Sequence, residues 1–154
     1  MVALVTYNAL PPYEKGIVKI NGTEVLVLPE TFKPKSPANI LLSDKNWQLL
    51  LKHKDALEKV IIFAGKKRSG ALEIIDLACQ SFHDKKDCLY FVLCWHELPE
   101  KFERLAQHGI SEKQYVSFSD GKLPCHEGPL LKGYLHDYLD ERELKTSTNH
   151  RQRR

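Results

Sequence analysis

The stretch VIIFAGKKRSGALEIIDLA, residues 60–78, changes period halfway along its length. Val60 to Ala64, within KVIIFAG, is an unbroken apolar run that ends at Gly65, the pattern of a strand covered on both faces. Gly65, Lys66, Lys67, Arg68, Ser69 and Gly70 interrupt it. Beyond them the apolar residues return at helical spacing, predicting a helix over 69–83. Ala71, Ile75, Ala78 and Phe82 fall on one face, with Glu73, Asp76, Gln80 and His83 on the other. A buried strand, a polar turn and an amphipathic helix make the first half of a βαβ unit.

The flanking sequence continues this rhythm. CLYFVLCW, residues 88–95, is a second apolar run that reads as a central strand. Its neighbour residues should then be buried on opposite faces, Tyr90 and Val92 with Ile61 and Phe63 on one, Phe91 and Leu93 on the other. LPEKFERLAQHG, residues 98–109, has Pro99 near its start and Gly109 past its end, the asymmetry of a short helix. QYVSFSDG, residues 114–121, alternates like a strand, and Leu131, Tyr134, Leu135, Tyr138 and Leu139 mark a last amphipathic helix. Upstream, NILLSD (39–44) reads as a short strand, followed by a helix carrying Trp47, Leu50, Leu51 and Leu57.

From residue 39 onward strands and helices therefore alternate, which predicts an α/β fold. It has a mostly parallel sheet with helices on both faces, three-layered and Rossmann-like or flavodoxin-like. Before residue 39 lie a short strand in VALVTY (2–7) and the Pro-bearing connection TFKPKSPAN (31–39). Between them, Ile17-Val18-Lys19-Ile20 and Glu24-Val25-Leu26-Val27-Leu28 flank Asn21-Gly22, the preferred dipeptide of a type I′ turn, so a β-hairpin is expected at one sheet edge. Residues 1–144 are expected to form a single α/β domain and 145–154, KTSTNHRQRR, a disordered basic tail.

Of 154 residues, 23 are Lys or Arg and 20 are Asp or Glu, and the last four contain Arg151, Arg153 and Arg154. Without that tail the charges balance, so the folded body lacks the basic excess of a nucleic-acid binder, and only Arg151–Arg154 suits such a partner. No apolar stretch reaches the ~18 residues of a spanning helix, and the first residues lack the basic start of a secretory signal. Four cysteines without a paired spacing fit reduced thiols and a cytoplasmic location.

In open α/β sheets ligands bind outside the carboxyl ends of the strands. The predicted strand ends bring Asp44, Gly65 to Gly70, His96 and Asp120 to one rim. Lys66, Lys67 and Arg68, with Ser69 as a helix N-cap and Gly70 after it, suit a phosphate at a helix N-terminus. The spacing matches neither a P-loop nor a dinucleotide fingerprint. Asp44 and Asp120 suit Mg²⁺ or acid–base roles, and equally a cap and a turn. Cys94, His96, Cys125 and His126 lack the ligand spacing of zinc sites, and neither a metal nor a cofactor is expected. The leading expectation is thus a non-catalytic accessory or adaptor protein that works through protein partners in a larger assembly. The alternative is a small nucleotide- or phosphoester-handling enzyme with its site at the strand ends.

Overall fold

A computed structural model describes residues 1–6, 13–32, 42–64, 70–93, 97–117 and 136–141 of the chain. Among the described residues six strands form one sheet: β1 (Val2–Val5), β2 (Gly16–Ile20), β3 (Thr23–Leu28), β4 (Lys59–Phe63), β5 (Leu89–Leu93) and β6 (Tyr115–Ser117). Their order is β2-β3-β1-β4-β5-β6. All neighbours run parallel except β2 and β3. Asn21 and Gly22, both at positive φ, join that antiparallel pair, as the I′ signature requires. The hairpin does sit at an edge, but only β2 is antiparallel, because β3 pairs parallel to β1 on its other side.

The helices are α1 (Lys45–Lys52), α2 (Ala71–Ser81), α3 (Leu98–Gln107) and a short α4 over 136–141. From β3 the chain steps to β4, β5 and β6 in one direction across the sheet. Right-handed crossovers for steps of one sense place α1, α2 and α3 on one face. The packing agrees. Ala3, Val5, Leu26, Ile62, Phe91 and Leu93 form one core with Trp47, Leu50, Ile75, Ala78 and Leu105 from these helices. The alternate strand residues, Val2, Leu4, Val25, Val27, Ile61, Phe63 and Val92, form a second core with Leu139 of α4. Tyr13, Tyr90 and Tyr138 pack against it half-buried, so Tyr90 is less enclosed than its strand neighbours.

The apolar run at 39–44 is not a strand where it is described. Leu42 and Ser43 make a short turn and Asp44 is the N-cap of α1. The parallel strand preceding α1 is instead β3. Local capping decided the outcome: Asp44 Oδ1 accepts from the amides of Asn46 (2.8 Å) and Trp47 (3.1 Å), which starts a helix immediately. Among the described residues no helix is long and apolar enough to cross a membrane.

Candidate functional site

β1 lies between β3 and β4, and the strand order reverses there: the chain goes from β1 to β3 on one side, then to β4 on the other. This is a topological switch point, and the crevice outside the carboxyl ends of β1 and β4 is where such sheets receive ligands. The described residues at those ends are Thr6 and Ala64.

Thr6 extends the β1 ladder. Its amide donates to the Leu28 carbonyl (3.2 Å) and its carbonyl accepts from the Thr31 amide (2.9 Å). Its side chain is only 1 % exposed. Among the described residues the hydroxyl has no hydrogen-bond partner, a costly condition for a buried polar atom.

The exit of β3 beside it is built from side-chain bonds. Thr31 Oγ1 donates to the Leu28 carbonyl (2.7 Å), and Asn46 Nδ2 donates to the Pro29 carbonyl (2.8 Å) and to Thr31 Oγ1 (3.1 Å). The Phe32 amide donates to Asp44 Oδ2 (3.0 Å), so both Asp44 oxygens are engaged by backbone donors. Glu30 and Phe32 both hold positive φ in this turn. For a residue as bulky as Phe32 that conformation is unfavourable. Burial of its ring against Trp47, with centroids 5.3 Å apart, offsets the cost.

The N-termini on this rim differ. α1 is closed by the Asp44 carboxylate. α2 begins from Gly70 at φ 65° and ψ 40°, with no side-chain cap. The N-cap of α2 is Gly70, and Ser69 before it lies outside the described residues. A side chain at Gly70 would be strained by the left-handed backbone, and its Cβ would stand 3.0 Å from Glu73 Oε2. α3 begins from Glu97, also at positive φ (53°) and without a side-chain cap.

Of the rim residues singled out in the sequence, Asp44 and Gly70 are thus located at the starts of α1 and α2. Lys66, Lys67, Arg68, Ser69, His96 and Asp120 lie outside the described residues, as do Cys94, Cys125 and His126. Lys66 to Ser69 belong to the five-residue connection between Ala64 at the end of β4 and Gly70. Among the described residues no group of three or more His, Cys, Asp or Glu could hold a metal ion. Cys79 and Cys88 are buried free thiols. Burial pushes the Cys79 thiol up to about 11, and Cys88 upward as well, which suppresses the nucleophilic thiolate.

Two buried polar groups stand outside the residues singled out in the sequence. One is the Thr6 hydroxyl, which sequence gives no means to find. The other is Lys101, which shares the sheet-facing side of α3 with Leu98 and Leu105 and is 1 % exposed. Burial lowers its pKa to about 8, with Glu97 and then Glu100 acting in the opposite sense. A signal for it did exist: Lys101 follows Leu98 by three residues and precedes Leu105 by four, a core position by helical period. No family model, curated protein or solved structure matches the chain.

Proposed function

We propose that the chain binds a phosphate-bearing small ligand, of the nucleotide or phosphoester class, in the crevice outside β1 and β4. The observation that carries this reading is the switch point between these strands. The connection leaving β4 there contains three cations and leads into the N-terminus of α2, whose N-cap is the glycine Gly70, without a side-chain cap among the described residues. Unpaired amides at a helix start attract an anion. The Thr6 hydroxyl, buried at the end of β1 without a partner among the described residues, supplies a further polar group at the same crevice.

Thermal unfolding with inorganic phosphate, pyrophosphate and nucleotides tests it. A ligand that binds only the folded chain adds about 2.7 kcal/mol at 100 times its Kd. The gain should disappear when Lys66, Lys67 and Arg68 are all replaced by Ala. Thr6→Val should weaken the ligand while leaving the unliganded fold unharmed, or about 1 kcal/mol more stable. A shift that survives the triple replacement unchanged, or the lack of any saturable shift, rejects the reading.

A second reading, an accessory protein acting through a protein partner, is favoured by β2. It is an edge strand, and Ile17 on it is 47 % exposed. An open edge is a template for strand addition by another chain. Purifying the tagged chain from its native source with and without Ile17→Lys checks this, because a partner bound along the edge should be lost with the substitution.

A further inference from the structure

A concavity lies on the face of the sheet that α4 covers, toward the amino ends of β4 and β5. Its volume is about 370 Å³, near the lower end of the usual range for small-molecule pockets, roughly 300–1,000 Å³. Its walls carry opposite charges. Lys59, the first residue of β4, and Lys113, in the turn before β6, come from the sheet side. Asp137 and Glu141 come from α4, four residues apart and hence on one side of the helix. Between them lie Ile61 of β4 and the rings of Tyr90 and Tyr138.

The arrangement is held in place. Lys59 Nζ stands 5.1 Å from the Tyr90 ring centroid and 5.3 Å from that of Tyr138, within the range of cation–π attraction. The Tyr138 hydroxyl donates to Glu58 Oε2 (3.1 Å), which fixes the ring. Partial burial lowers the Lys59 pKa, and Glu141 works against that shift. Two ammonium groups face two carboxylates, so the lining is neutral overall. A simple anion entering the pocket meets both carboxylates, and a simple cation meets both lysines. A ligand that carries both charges answers both walls.

We propose that this pocket binds a free α-amino acid with an apolar or aromatic side chain. Its carboxylate faces Lys59 and Lys113, its ammonium faces Asp137 and Glu141, and its side chain lies against Ile61 and the tyrosine rings. This site is independent of the phosphate reading at the carboxyl ends of β1 and β4.

The test is titration of the full chain with L-phenylalanine and L-leucine, followed by calorimetry. 2-Phenylethylamine and 3-phenylpropionate serve as probes that keep only one of the two charges. At least one amino acid should bind saturably, and each single-charge analogue should bind about 10-fold or more weakly than L-phenylalanine when the latter is the ligand. If only L-leucine binds, isoamylamine and isocaproate replace those analogues. Lys113→Gln and Asp137→Asn remove exposed charges and should each weaken the amino acid about 10-fold, with unchanged circular-dichroism melts. Lys113→Gln should spare the amine analogue, and Asp137→Asn the acid analogue. Failure of both amino acids to saturate up to roughly 10 mM, or equal affinity for the amino acid and its single-charge analogues, overturns the proposal. Phosphate titration of the same variants should be unaffected, so the two sites stand or fall separately.

Discussion

Lys101 is a cation in the place of a core residue. Its neighbours along the helical stripe are Leu98 and Leu105, and no solvent of consequence reaches it. Removing an ammonium from water disfavours its charged form, which is why its pKa falls from the ordinary 10.5 to about 8. In the unfolded chain the same group returns to the ordinary value. Between pH 8 and 10.5 the unfolded chain thus holds a proton that the folded chain has released, and raising the pH favours folding. Below pH 8 both states are protonated and the full desolvation cost is present. Denaturant titrations of the native chain and of Lys101→Met across this window should show it. The native chain should gain stability relative to the variant by on the order of 2–3 kcal/mol from pH 7 to pH 10.5. A constant difference between the two would mean that the Lys101 ammonium is solvated. The residue was legible in part: helical period assigns the position to the core, but period alone does not say that a lysine there stays inside, because long basic side chains usually carry the charge out to water.

At the scale of elements, the starts of α1 and α2 solve one problem differently. A helix start leaves backbone donors unpaired. Asp44 satisfies two of them in α1 and also accepts from Phe32, tying the helix to the exit of β3 across residues 33–41 of the chain. Asp44→Ala should therefore cost more than an isolated cap, about 2 kcal/mol or above, since it also releases the Phe32 amide. Gly70→Ala acts through the backbone, at φ 65°, and should cost about 1–2 kcal/mol. Chemical denaturation of both variants checks the ranking, and a smaller loss for Asp44→Ala than for Gly70→Ala would contradict it. The turn after α2 works on carbonyls instead. Lys85 Nζ donates to the carbonyls of Lys54 (2.8 Å) and Leu57 (2.7 Å), and Lys86 Nζ donates to that of His108 (2.9 Å). Adjacent lysines thus fasten the entry of β5 to the segments on either side, with Lys86 satisfying the carbonyl of His108, the C-cap of α3. None of this cross-linking is periodic, so it left no trace in the sequence pattern. The helices themselves, the Asn21-Gly22 turn and the two long apolar runs were legible because each is encoded within one short window. At Leu42 to Asp44 the structure differs from the expected strand for the same reason: a brief apolar run ending in Asp suits a strand end and a helix cap equally.

Across the whole molecule, the lateral order of strands is what the sequence concealed most. Nothing local in VALV says which strands flank it, yet β1 pairs with β3 and β4 at once. A hint lay in the contrast of patterns. Val2 to Val5 is apolar without alternation, and all four residues are buried. In β2 exposure alternates, as an edge strand should show. The carboxyl rim was legible as a place, because parallel strands share it. Of its described residues, the sequence singles out Asp44 and Gly70, whereas Thr6, Thr31 and Asn46 meet through tertiary contacts that no local pattern announces. If β1 holds the two halves of the sheet together, its amides open only when the whole fold opens. Native-state hydrogen exchange should then place Val2–Val5 with β4 and β5 among the slowest amides, while those of β2 that do not bond β3 exchange far faster. Mutation should follow the same division. Leu4, with no exposed surface, should cost about 2–5 kcal/mol on replacement by Ala, since a cavity opens between β3, β4 and the second core. Ile17→Ala on the edge should stay within about 0.5–1 kcal/mol. Exchange of the β1 amides as fast as those of β2, together with a small cost at Leu4, would remove β1 from the centre of the sheet and with it the switch point on which the proposed phosphate binding rests.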